Sequence, residues 1–124
     1  MALPDRKMNP DLAPTLRPSL MDIAWVAGLF EGEGSCNGNN GQNQRVYIYQ
    51  KDPYILVKCQ RLFGGSVCQR STGRNRFKTE DGGMIHRWNL YGPRGRGFLM
   101  TIYSLLSPRR KAQVKRALTG KEPN

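Results

Sequence analysis

Two glutamates stand two residues apart in the run Gly28-Leu29-Phe30-Glu31-Gly32-Glu33-Gly34, and no basic residue lies within that run. Ser19 followed by Asp22 is a capping-box pattern with Pro18 just outside it, so a helix is expected to begin near Leu20. Gly34, the residue type suited to a left-handed turn, is expected to end it. Glu31 and Glu33 then lie at the negative end of the helix macrodipole, where a carboxylate is disfavoured by about 0.3–1 kcal/mol. A positive charge should be close by. A divalent cation would supply it, because hard ions such as Mg2+ take one or two carboxylates from a protein and the rest of their oxygens from water and phosphate. A pair of solvated surface acids is the plain alternative.

The same helix is apolar nearly all the way round, which implies contact on more than one side. Ile23, Val26, Ala27 and Phe30 form one stripe, and Trp25, Gly28, Leu29 and Gly32 form another. Gly28 and Gly32 are four residues apart, so they share a face that lets another backbone approach. Each costs about 1 kcal/mol relative to Ala, which a close contact would have to offset. The partner is either a neighbouring element of the same chain or a second copy of this helix.

The elements around this helix follow from pattern and punctuation. Residues 1–18 carry Pro4, Pro10, Pro14 and Pro18 and read as an extended or mobile arm. After Gly34 an Asn/Gly/Gln-rich stretch leads to the alternating strand Arg45-Val46-Tyr47-Ile48-Tyr49, and a hairpin joins the two. Pro53 can open a second helix whose Ile55, Leu56, Cys59, Leu62 and Phe63 make one buried face, ending at Gly64-Gly65. Ser66 to Arg70 and Ile85 to Tyr91 read as a second strand pair, separated by a basic loop from Thr72 to Gly83. Phe98, Ile102, Leu105 and Leu106 mark a third helix, and Pro108 can start a short basic fourth one. The expected organisation is an arm at 1–18, one domain at 19–120 and a tail at 121–124. The first segment has no internal repeat.

With 20 Lys and Arg against 9 Asp and Glu, the 124-residue chain carries a formal charge of +11 and a pI near 10.1. Such a field attracts polyanions, nucleic acid first among them. The apolar run Ile23 to Phe30 is far short of the ~20 residues that cross a bilayer, and no signal-peptide core follows the N-terminal Arg6 and Lys7. An intracellular, non-secreted protein of cytoplasm or organelle matrix is expected, without membrane or small-molecule partners. The three cysteines form no CxxC pair and are odd in number, and with His86 they match no zinc spacing.

The segment Val26-Ala27-Gly28-Leu29-Phe30-Glu31-Gly32-Glu33-Gly34 resembles the nine-residue signature of the LAGLIDADG homing endonucleases, with Glu for Asp at both acidic positions. The resemblance extends to Tyr49-Gln50-Lys51-Asp52, to Leu62-Phe63-Gly64-Gly65-Ser66-Val67 and to the basic stretch from Leu105 to Gln113, covering roughly residues 19–118. It implies an α+β, αββαββα fold with a saddle-shaped antiparallel sheet, paired in a homodimer through Trp25, Gly28, Leu29 and Gly32. It also implies a site-specific double-strand DNA endonuclease that uses Mg2+ or Mn2+ at a long pseudo-palindromic target.

By position, the resemblance makes Glu33 the metal-holding acid, with the Gly32 carbonyl as a further ligand, and leaves Glu31 to brace the helix end. Gln50 would help place water. Arg110, Arg109 or Lys111, in that order, would support the phosphate, electrostatically in the case of arginine, which does not readily give up a proton. The longer arm of Glu33 puts metal spacing in question. Strand alternation aims Arg45, Tyr47, Tyr49, Arg87, Asn89 and Tyr91 at the major groove if Val46, Ile48, Trp88 and Leu90 face the core. Gln50 then has core parity, which calls for a bulge or the end of the strand. Asn37, Asn39, Asn40, Gln42 and Gln44 are amides suited to adenine, and Arg70, Arg74 and Arg76 suit guanine or phosphate. The rival readings keep the fold without the cutting, as an RNA maturase or a non-cleaving DNA-binding regulator.

Overall fold

A computed structural model of the chain describes residues 11–71 and 84–121. Its first helix, α1 (Leu20–Glu33), starts where the capping box places it, with Ser19 N–H donating to Asp22 Oδ2 at 2.9 Å and Asp22 N–H to Ser19 Oγ at 3.1 Å. Its end departs from expectation. Gly34 is not left-handed: at φ −93° and ψ 165° it is extended, and the chain runs straight from α1 into strand β1 (Gly34–Asn39). Glycine is needed there for space, because a Cβ would lie 2.3 Å from Phe30 Cδ1.

Strand β1 turns through Asn40 and Gly41, both at positive φ, into β2 (Gln42–Gln50). That is the Asn-Gly signature of a tight hairpin. Helix α2 (Pro53–Phe63) is capped by Asp52, whose Oδ1 accepts from Tyr54 N–H at 2.9 Å, and it buries Leu56, Cys59 and Leu62. Then come β3 (Ser66–Ser71), β4 (Met84–Tyr91), α3 (Gly92–Ile102) and α4 (Pro108–Thr119). A 3-10 turn over Tyr103–Leu105 tightens the end of α3, so Leu105 swings out to 55% exposure while Leu106 stays buried. The expected apolar set of the third helix thus loses Leu105 to solvent. The basic loop expected at residues 72–83 lies outside the described residues.

The four strands form one antiparallel sheet in the order β1-β2-β4-β3. The helices contribute Val26, Phe30, Leu56, Phe98, Leu99, Ile102 and Val114 to a core closed by Val46, Ile48, Val67, Trp88 and Leu90 from the sheet. Phe98 sits edge-on to Trp88 and Phe63, at 5.2 and 5.1 Å between centroids, and Trp88 Nε1 donates to Gly64 O at 2.8 Å.

Residues 11–16, within the segment read as an arm, are tied down against the rest of the chain. Leu12 and Gly65 exchange backbone hydrogen bonds at 3.0 and 2.9 Å, Thr15 and Leu16 N–H both donate to Arg61 O, and Arg94 bonds Leu12 O at 3.0 Å. The Gly65 backbone at φ +96° makes this crossing possible, and a Cβ there would stand 2.3 Å from Asn89 O. Left-handed strain and a backbone clash combine at that position. Gly65→Ala is expected to destabilise the fold by at least about 2 kcal/mol in urea unfolding. An unchanged midpoint would refute this account of the turn.

Candidate nucleic-acid interface and carboxylate site

The two glutamates at the end of α1 have different surroundings. Glu31 reaches α4: Ser107 N–H donates to its Oε1 at 2.8 Å, and Ser107 Oγ donates to its Oε2 at 2.7 Å. These two bonds hold its carboxyl below the usual glutamate range, aided by the charges of Arg110 and Arg109. Arg110 is itself buried beneath this joint. Its Nε donates to Glu31 O at 3.0 Å, its Nη1 to Gln113 Oε1 at 2.7 Å, and its guanidinium lies 5.5 Å from the Phe30 ring centroid. The positive charge that the helix end requires is therefore partly supplied by the protein.

That placement corrects the ranking of the basic residues. Arg110 is 8% exposed and engaged at the α1 terminus, which makes it a poor candidate for phosphate contact. Arg109 is exposed, and Lys111 is half-buried with Nζ 5.8 Å from the Tyr103 ring centroid. Of the three, Arg109 is the most accessible cation near Glu31.

Glu33, the last helical residue, is exposed, and no hydrogen bond or ion pair engages it among the described residues. No group of three or more His, Cys, Asp or Glu gathers as a metal cage among them either. The strand that carries Gln50 converges on this point, since Gly34 pairs with Ile48, two residues before Gln50. The β2–β4 register runs unbroken from Arg45↔Tyr91 to Gln50↔His86, so no bulge re-aims Gln50. It keeps the parity of Val46 and Ile48 and is half-buried at the end of its strand. Of the two ways to reconcile its parity, the strand end is the one found.

Around Gly28 and Gly32 the surface of α1 is open among the described residues. Gly28 and Gly32 are exposed, with nothing within 4 Å of where a Cβ would stand. Leu20 and Met21 are exposed on this helix, Leu29 is half-buried, and half-buried Trp25 carries Lys58 Nζ at 4.2 Å from its ring centroid. The possibility of a close neighbour from the same chain is not realised among the described residues.

The sheet face away from the helices joins cations to tyrosines. Arg45 is exposed there, the Arg87 guanidinium lies 4.8 Å from the Tyr47 ring centroid, and Tyr47 meets Tyr91 edge-on at 6.0 Å. A Tyr49 hydrogen bond also holds Arg87, and burial beside Tyr47 pushes the Tyr91 hydroxyl's pKa up. A hollow of about 580 Å3 opens alongside, lined by Asn43, Arg45, Tyr47, Tyr91 and Gly92 among others. Tyr91 belongs to this surface as much as Tyr47 does. Asn37, Asn39, Asn40 and Gln42 are exposed on the hairpin, and Arg70 stands on β3. Arg74 and Arg76 lie outside the described residues.

Two expected base-reading residues are turned to other work. Gln44 shares the inward parity of Val46 and Ile48 and is 3% exposed; its Nε2 donates to Gly41 O at 2.7 Å and to Ala117 O at 3.1 Å. It ties the hairpin to the end of α4. Asn89 has outward parity but is 1% exposed, flanked by β2 and β3, with Nδ2 3.3 Å from Ser66 Oγ. Neither can present its amide to a base edge in this arrangement. The contact that sequence reasoning missed is Ser107 with Glu31, although a serine immediately before Pro108 is a helix N-cap signal.

Residues 21–88 match the LAGLIDADG-like domain, more than half of the chain, and the chain belongs to that family. Among solved structures it is similar to the homing endonuclease I-CvuI in complex with the I-CreI target in the presence of 2 mM Mg, with the DNA not cleaved. The TM-score is 0.58 at 20% identity, over 79% of this chain and 64% of that one. A second structure, I-CvuI with its own target in 2 mM Ca, gives 0.57 at 20% identity over the same shares. The chain thus spans 64% of the length of those relatives, and the likeness establishes the αββαββα fold. No curated protein matches the sequence. Among the described residues, no helix is long and apolar enough to cross a membrane.

Because its folded-state carboxyl lies below the usual value, Glu31 contributes stability that is fully present above about pH 4.5 and lost as pH falls through the lower folded value. Glu31→Gln is expected to flatten that acid limb, read as Tm against pH. An acid limb as steep as the wild type's would show that the Ser107 contact does not depend on charge.

Proposed function

We propose that this chain is a site-specific double-strand DNA endonuclease that works as a homodimer. The observation that carries the reading is Glu33: an unengaged carboxylate at the exposed end of α1, beside an uncovered glycine face. Membership of the LAGLIDADG-like family and the DNA targets bound by the structural relatives support it.

The donor set suits a hard cation. Glu33 offers carboxylate oxygen and Gly32 a carbonyl, and one carboxylate per chain with the remaining oxygens from water and phosphate is what Mg2+ or Mn2+ accepts. When bound, such an ion stabilises charge on a scissile phosphate and makes its water more acidic. Glu33 holds that position open to solvent. Gln50, at the end of β2, can donate to and accept from a water, which orients it without taking its proton. Arg109 adds positive charge beside the phosphate, and Arg110 holds the helix end in place from beneath. On the open sheet, Arg45, Arg87, Tyr47, Tyr49 and Tyr91 face the groove, and the exposed hairpin amides extend that contact.

A chain with one signature can address one strand, so cutting both requires two copies. Packing of α1 on its twin through Gly28, Gly32, Trp25 and Leu29 would cover the bare face and bring the two Glu33 residues near a shared axis. Two-fold symmetry in turn calls for a pseudo-palindromic target.

Glu33→Gln is expected to bind a duplex carrying the insertion site of its own gene with unchanged affinity while cleavage with Mg2+ falls by at least about a thousandfold. Cutting at the wild-type rate would remove Glu33 from the mechanism, and tight RNA binding without DNA cleavage would favour a maturase. Light scattering at micromolar concentration is expected to give the mass of a dimer, and Gly28→Leu that of a monomer. A monomeric wild type would overturn the packing of α1 on its twin.

A further inference from the structure

Glu33 has glycine on both sides, and Gly32 is exposed with open space around it, so the direction of Glu33 depends on what anchors the preceding residues. Phe30 is buried in the core, and beyond it the anchoring falls to Glu31. Three hydrogen bonds join that residue to the start of α4: Ser107 N–H and Oγ to the carboxylate, at 2.8 and 2.7 Å, and Arg110 Nε to the carbonyl, at 3.0 Å. The Ser107 hydroxyl serves two partners at once. It donates to Glu31 Oε2 and accepts from Arg110 N–H at 3.3 Å as the N-cap of α4. The helix behind it is seated firmly, with Val114 and Ala117 buried in the core.

We infer that Ser107 is a positioning residue for Glu33: by clamping the Glu31 side chain to the first turn of α4, it sets where the last turn of α1 delivers the second acid. This rests on the reading of Glu33 as the metal-holding carboxylate. The bland alternative is that Ser107 only caps α4.

Two substitutions separate these roles. Asp is among the best N-cap residues, so Ser107→Asp keeps the cap while setting a second negative charge against Glu31. Ser107→Thr keeps a hydroxyl for both partners. Amide hydrogen exchange reports the anchoring, and cleavage kinetics with Mg2+ report its consequence. Ser107→Thr is expected to match the wild type in both. Ser107→Asp is expected to retain protection through α4 but to exchange about tenfold faster at the Glu33 and Gly34 amides, with kcat about tenfold lower and KM unchanged.

Unchanged exchange at Glu33 and Gly34 in Ser107→Asp overturns the proposal, as does an unchanged kcat. Should Ser107→Asp lose protection throughout α4, Glu31→Ala, which leaves the Ser107 cap intact, gives the same reading: faster exchange at Gly34 supports the clamp and unchanged exchange removes it. Wild-type cleavage by Glu33→Gln would sink the functional reading alone, because the exchange measurement judges the clamp whether or not DNA is cut.

Discussion

The ring of Phe30 occupies the space that a side chain at Gly34 would need, and the way α1 joins the first strand of the sheet depends on that contact. With no room for a side chain and an extended backbone at Gly34, α1 passes into β1 without a loop. The acidic end of the helix and the first strand are thereby one continuous object. Phe30 also meets Phe98 edge-on at 6.2 Å, so the residue that fixes this junction is packed into the aromatic centre of the core. Flexibility at the carboxylates is limited by how well that centre packs.

Charge is divided between the two sides of the sheet by how each cation is held. On the open side, Arg87 lies against Tyr47 and Tyr49, which orders it before any ligand arrives. Among the described residues its buried Nε has no hydrogen-bond partner, and the Tyr47 ring and the Tyr49 hydroxyl are what hold it. On the helical side, Arg110 is spent on the α1 terminus and on Gln113, and its charge stabilises the fold. A count of basic residues merges these two kinds of arginine, and their difference lies in burial.

Much of the fold was legible because its signals are local. The Ser19–Asp22 box, the Asn/Gly-rich turn before β2, and Pro53 and Pro108 at the starts of α2 and α4 each mark a boundary by chemistry within a few residues. Alternation placed Val46, Ile48, Trp88 and Leu90 in the core. Carried two residues further, the same alternation turns Gln44 inward, where composition alone would offer it to DNA. Three features were not legible, because they depend on contacts distant in sequence. Asn89 is buried between neighbouring strands, Arg110 is drawn under α1 across 79 positions, and residues 11–16 are pinned to the α2–β3 turn. Gly34 misled differently: a glycine after a helix suggests a left-handed cap, and here it answers a steric demand.

Helix α4 is fastened at both ends to the hairpin arm beside it. Its first turn holds Glu31, just before β1 begins, and its last turn receives Gln44 at Ala117 O, with Gly120 packed against the backbone of Asn40 and Gly41 at the tip. Twelve helical residues span about 18 Å, and the six residues of β1 span about 20 Å. The two elements are therefore matched in length, as a strut is to the beam that it braces. Bending the hairpin relative to the acidic helix end would mean stretching or compressing a helix along its axis, the direction in which it yields least. The separation between the tip of the sheet and its carboxylate end is in effect a gauge length, set by the number of residues in α4.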